Sequence, residues 1–145
     1  MSIRQEMELL NACINHQSEL LGEWARRNGM SRSTMMVLYA LDRDHAQTQK
    51  EIAEWWLLPK QTVHSVIKEL ERQGVVVLEA GRDQKEKRVR LTPEGKETAQ
   101  TRMRGLYERE ERALEALPPD LREGLLRGSQ AFTRALEREV LHGAD

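Results

Sequence analysis

A single cysteine, Cys13, serves a chain of 145 residues. One thiol excludes an internal disulfide framework, and nothing in the cysteine usage demands an oxidising compartment. Aromatic residues make up only 4% of the chain, as three Trp, two Tyr and one Phe, and there are nine Gly and four Pro. That scarcity disfavours a many-stranded sandwich, a collagen-like repeat and a low-complexity chain. No apolar run approaches the roughly 20 residues that a membrane helix needs, and the start, MSIRQEMELL, lacks the apolar core of a secretory signal. A cytoplasmic protein without a membrane partner is expected. The net charge of −1 removes a global basic field as a sign of nucleic acid, so charge has to be sought locally. There is no glycine-rich phosphate loop, no nucleophile elbow and no cluster of His with carboxylates, so neither an enzyme nor a cofactor is expected. Cys13 and His16, three apart, would supply at most half of a metal site, and His45, His64 and His142 show no ligand spacing, so no metal is expected.

What remains is 39% hydrophobic and 32% charged, the composition of one helix-rich protomer spanning 1–145. From Ile3 to about Arg27 the residues Ile3, Met7, Leu10, Ile14, Leu21 and Trp24 recur at steps of four and three, with Gln17 in the missing position, a heptad-like stripe widened by Leu9, Cys13 and Leu20. Asn28-Gly29 ends that helix. Ser31 is a good N-cap for a second, largely buried helix over about Arg32 to Asp42, with Met30 placed to staple against Met35; Met35 and Met36 read first as core. Thr48-Gln49-Lys50-Glu51 has the form of a capping box, opening a short helix that buries Ile52 and Trp56 and breaks near Leu57-Leu58 ahead of Pro59. Pro59 is expected at the first position of the next helix, which Gly74 closes. The run Val75-Val76-Val77-Leu78 reads as a strand, Gly81 to Glu86 as a turn and Lys87-Arg88-Val89-Arg90-Leu91 as its partner strand. Thr92-Pro93-Glu94 opens a long helix with apolar positions Ala99, Met103, Leu106, Ala113, Leu114 and Leu117. Pro118-Pro119 ends it and starts another, with Leu121, Leu125, Phe132, Leu136 and Val140 mostly four apart.

The chemistry concentrates between Thr48 and Thr92. At 100° per residue, Val63, Ile67 and Leu70 share a narrow arc of the helix after Pro59, while Gln61, Ser65, Lys68 and Arg72 share the opposite one; Lys60, Thr62 and His64 border it. A helix laid in a major groove presents its first turns to base edges, where Gln61, Thr62, His64 and Ser65 have the donors and acceptors to read them. Lys68 and Arg72 lie further along, where phosphates would be met. From Arg82 to Arg90 five cations face two acids, and Arg82, Lys85 and Arg88 at this basic tip suit an adjacent minor groove. Any one of these features alone is more often plain solvated surface. Their order, capped short helix, tight turn, capped polar helix and basic hairpin, is that of a duplex reader.

The run from Thr48 to Gly95 resembles the winged helix-turn-helix of the MarR family of bacterial transcription regulators. Asp83-Gln84-Lys85 and Leu91-Thr92-Pro93-Glu94-Gly95 match the wing pattern of Asp-x-Arg followed by Leu-Thr-x-x-Gly, and the likeness extends into the flanking helices. Lys85 stands where the family usually has Arg, Leu57 and Pro59 where it commonly has Gly and Ser, and Ser65 where it often has Arg. The resemblance implies a mainly α fold with a small β-hairpin wing, a winged helix-turn-helix lobe (30–95) embedded in a helical dimerisation body (1–29 and 96–145). It further implies a homodimer on pseudo-palindromic double-stranded DNA, most often a repressor, released by a small aromatic or phenolic effector or by oxidation of a cysteine. Cys13, His16, Trp24, Met35 and Tyr39 are the nearest candidates for an effector pocket. Two alternatives stand beside this reading: a redox-sensing regulator acting through Cys13, and a winged helix that binds a protein instead of DNA.

Overall fold

The computed structural model describes residues 1–81 and 86–143. Six helices and one hairpin follow in the order α1 (Ile3–Arg27), α2 (Arg32–Asp42), α3 (Gln49–Trp56), α4 (Lys60–Arg72), β1 (Val76–Ala80), β2 (Lys87–Leu91), α5 (Pro93–Glu115) and α6 (Pro119–His142). The chain divides into two compact units, Met1–Gly105 and Leu106–Asp145.

In the first unit the core is gathered where α2 meets its neighbours. Met35, Val37, Leu38, Ile52, Val63, Ile67, Leu70, Val76, Ala99 and Met103 are almost completely buried, and among the described residues no polar or charged one is buried with them. α2 contributes Met35, Met36, Val37, Leu38, Ala40 and Leu41 to that core, as MMVLYAL anticipates. Its start is fixed by Ser31, whose hydroxyl accepts from Thr34 N at 3.0 Å. α1 begins with a capping box: Ser2 Oγ accepts from Gln5 N at 3.2 Å and Ser2 N donates to Gln5 Oε1 at 2.8 Å. α1 ends at Asn28 and Gly29, the latter at φ +72. Only Trp24 and Ala25 of α1 are buried, and Leu9, Leu10, Ile14 and Leu20 are exposed.

Four local expectations need correction. The Thr48 hydroxyl does accept from Glu51 N at 3.1 Å, but the Glu51 carboxylate accepts from Gln47 N at 2.7 Å, not from Thr48 N. Gln47 is drawn to the helix start because its carbonyl accepts from Val89 N at 2.8 Å, tying the α2–α3 loop to β2. Pro59 is the N-cap of α4, one position earlier than expected: its ψ of 138 is extended, and its carbonyl accepts from Val63 N at 3.2 Å. β1 starts at Val76 because Val75 belongs to the cap of α4. With Gly74 at φ +75, Val75 N reaches back to Leu70 O at 2.9 Å, satisfying an otherwise orphaned carbonyl. Leu117 lies beyond the end of α5.

β1 and β2 are antiparallel, in the register Val76↔Leu91 through Ala80↔Lys87. Thr92 welds the hairpin to α4: its hydroxyl accepts from Gly95 N at 2.8 Å and donates to Gly74 O at 2.7 Å. A Cβ on Gly95 would stand 1.9 Å from Val75 O, so this junction closes only with glycine. In the second unit, Pro118 caps α6 and Pro119 opens it; α6 has no buried residue. Leu121, Leu125, Leu126, Leu136, Val140 and Leu141 are all exposed. No helix among the described residues is long and apolar enough to cross a membrane.

Candidate nucleic-acid interface

α4 is divided by burial as its periodicity requires. Val63, Ile67 and Leu70 are buried against the core, while Lys60, Gln61, His64, Ser65, Lys68 and Arg72 are exposed and Thr62 is half-buried. α3 precedes it across a turn in which Leu57 takes a left-handed conformation, φ 52 and ψ 43, and Leu58 N donates to Ala53 O at 2.9 Å. A glycine would take this conformation without the cost that a Cβ imposes.

The polar groups of this face differ in availability. Gln61, Lys60 and Lys68 engage no other described side chain. Ser65 Oγ donates to Gln61 O at 3.0 Å, which leaves its lone pairs for a donor from outside. His64 Nδ1 lies 3.2 Å from Gln49 Oε1, so α3 orients the ring. Arg72 is engaged: its guanidinium grips Glu69, with Nε on Oε2 at 2.9 Å and a terminal nitrogen on Oε1. Gln73 Nε2 adds a third donor at 2.9 Å. The Arg72 and Gln73 hydrogen bonds hold the Glu69 carboxyl down at about 2, and Glu69 in turn raises Arg72.

The hairpin is less freely basic than its sequence. Arg88 donates to Gln47 Oε1 at 2.7 Å, and its backbone forms a bridge with Thr48, so it is turned to the start of α3. Arg90 pairs with Glu79 of the opposite strand at 2.7 Å, and that bond lowers the Glu79 carboxyl. Glu79 thus adds a third acid to the five cations counted from Arg82 to Arg90. Lys87 is exposed and makes no ion pair among the described residues. Arg82 and Lys85, expected at the tip, lie outside the described residues.

The five effector candidates are scattered. Cys13 is exposed on α1. His16, one turn on, lies 3.5 Å from Glu19. Trp24 and Met35 are buried in the core. Tyr39 is half-buried in an aromatic group that sequence reasoning did not assemble: His45 stacks on Trp55 with centroids 4.4 Å apart, Trp55 meets Trp56 edge-on at 4.8 Å, and Tyr39 meets Trp56 edge-on at 5.4 Å. Trp56 Nε1 is buried there without a hydrogen-bond partner. A cavity of about 240 Å³ opens elsewhere, where Met30, Ser31 and Thr34 face Glu69 and Leu70 of α4, its C-cap Gln73 and Arg102 of α5. None of the five lines it. Among the described residues no three His, Cys, Asp or Glu gather to hold a metal.

A helix-turn-helix whose second helix offers a polar outer face, followed by a hairpin welded to that helix, defines a winged helix-turn-helix protein. Residues 28–87 match the sequence model of the MarR family. The structure of a MarR family regulator from Neisseria meningitidis superposes with a TM-score of 0.78 at 26% identity, covering 96% of this chain and 99% of that one. The transcriptional regulator BldR of Sulfolobus solfataricus shares the fold with a TM-score of 0.74 at 18% identity, over 93% of this chain and 99% of its own. A complex of Staphylococcus aureus MepR with DNA does so with a TM-score of 0.66 at 16% identity, over 89% and 96%. No curated protein sequence matches the chain. The chain shares the fold of the Neisseria meningitidis MarR family regulator over 96% of its length, and the MarR family model matches residues 28–87.

Proposed function

We propose that this protein is a cytoplasmic, homodimeric transcription regulator that binds a pseudo-palindromic site on double-stranded DNA and represses until a small effector releases it. The observation that carries the DNA reading is α4: a buried Val63, Ile67, Leu70 seam fixes the helix, and Gln61, His64, Ser65 and Lys68 stand outward on its far side beside the hairpin. In that geometry Gln61, Thr62, His64 and Ser65 meet base edges, and Lys60 and Lys68 meet phosphates. Arg88 supports the wing from the start of α3. The MepR relative is seen with DNA on the same fold.

The dimer rests on the exposed apolar rows of α1 (Leu9, Leu10, Ile14, Leu20) and of α6 (Leu121 to Leu141). A protomer alone would leave both rows in water, well beyond the scattered apolar exposure of a typical monomer. Two reading heads related by a two-fold axis then meet half-sites about 10 bp apart or a multiple of that spacing. Selection of bound sites from random duplex DNA tests this reading. Recovery of an inverted repeat, with sedimentation at the mass of a dimer, is the expected result. A monomer at micromolar concentration, or no enrichment of any sequence, contradicts it.

A further inference from the structure

Arg72 and Glu69 occupy one exposed ridge of α4, three residues apart, and the carboxylate takes the Nε edge of the guanidinium together with the Gln73 amide. That fork is the geometry with which Arg takes a phosphate, so phosphate and Glu69 compete for the same donors. The rest of this end of α4 does not compensate: Lys68 stands beside Glu69, and Glu71 stands beside Arg72, so two acids lie between two cations. Glu69 is also held from one side only. Its wall of the 240 Å³ cavity contains Arg102, which makes no hydrogen bond or ion pair with it.

We propose that Glu69 sets the affinity of the reading head, by holding Arg72 as an internal substitute for a DNA phosphate. The inference rests on the DNA-binding reading above and deepens it. In the free protein the charge of Arg72 is paired with that of Glu69. On DNA the ion pair must open before Arg72 can offer that edge to a phosphate, and the freed carboxylate then faces the polyanion. Both effects weaken binding, and both weaken it on every sequence, so Glu69 limits non-specific retention while leaving the choice of site to Gln61 and its neighbours. A head weakened in this way depends on two half-sites being engaged together, because the second contact is then intramolecular.

The test is a double-mutant cycle on the full-length protein, with Glu69→Gln, Arg72→Ala and the double variant titrated against a selected duplex and a scrambled duplex across a salt series. Glu69 and Arg72 are exposed, and Gln and Ala both favour helix, so the variants keep the fold; a circular-dichroism melt verifies that each does. Glu69→Gln is expected to tighten binding to both duplexes, by about 1.5- to 5-fold per head from the strength of an exposed ion pair, and roughly by the square of that for a dimer. The slope of log affinity against log salt should steepen by about 0.9 per head as Arg72 gains a phosphate. In the Arg72→Ala background the same change should do much less. Unchanged affinity and slope for Glu69→Gln overturn the proposal, as does equal tightening with and without Arg72, which would mark simple removal of a negative charge. If neither wild type nor variants bind any duplex at low salt, the DNA-binding reading itself falls.

Discussion

Leu57→Gly should make this protein more stable, although it removes a large apolar side chain. Leu57 ends α3 with φ 52 and ψ 43, a left-handed conformation. For a residue with a Cβ that conformation costs about 1–2 kcal/mol. The usual compensation, burial, is missing, because the side chain is 90% exposed. Glycine abolishes the strain but raises the entropy of the unfolded chain, an opposing effect of about 0.4–1 kcal/mol. The difference leaves a net gain near 0.5–1 kcal/mol. For a chain of this size that corresponds to a rise in Tm of about 1–4 °C. Urea unfolding and thermal melts at one fixed protein concentration would measure it, since a dimer's Tm moves with concentration. Leu57→Ala is the control: it removes the same exposed surface and keeps the strain, so no comparable gain is expected. A Leu57→Gly protein no more stable than Leu57→Ala would refute the argument.

Further outcomes follow from the same contacts. Gly95→Ala should destabilise by about 2–3 kcal/mol or more, read by urea unfolding, because its Cβ would collide with the Val75 carbonyl that anchors the hairpin to α5. The Glu69 carboxyl should titrate near 2 in an NMR pH series and move upward toward the ordinary range in Arg72→Ala. Since its folded value is depressed, the stability it contributes is present above its unfolded range and fades as pH falls from about 4.5 toward 2. Gln61→Ala should cost about 1–3 kcal/mol on the preferred duplex and narrow its advantage over other sequences, whereas Lys68→Ala should weaken all duplexes alike and flatten the salt slope by about one unit per head. If oxidation of Cys13 is the releasing signal, Cys13→Ser should abolish release by peroxide; release that persists in that variant excludes it.

Much of the fold was legible because it is written in short-range patterns. Ser31 and the MMVLYAL run mark α2, Gly74 marks the end of α4, and the alternation Lys87-Arg88-Val89-Arg90-Leu91 marks β2, each by backbone geometry or burial that acts over a few residues. The outward face of α4 was legible for the same reason, since 100° spacing alone separates Val63, Ile67 and Leu70 from Gln61, Ser65 and Lys68. What escaped was long-range. The bond from Arg88 to Gln47 spans 41 positions, and the stacking of His45 on Trp55 depends on the path of the α2–α3 loop, so neither leaves a periodic trace. Glu51 turned to Gln47 because β2 had already taken hold of that residue. The Arg72–Glu69 pair is different. Its spacing of three was visible, but cations of α4 considered without their helical neighbours look freer than they are.

The central claim is that α4 and its hairpin, carried twice on a dimer, bind duplex DNA through a few unpaired cations and a short polar reading face. Fluorescence anisotropy on the selected inverted repeat, repeated from low to physiological salt, tests it most directly. Lys60, Lys68 and Lys87 from two heads make six phosphate contacts available, so log affinity should fall linearly with log salt with a slope of about −5. No binding at low salt, or binding that ignores salt, would contradict the account and favour a winged helix that docks on protein.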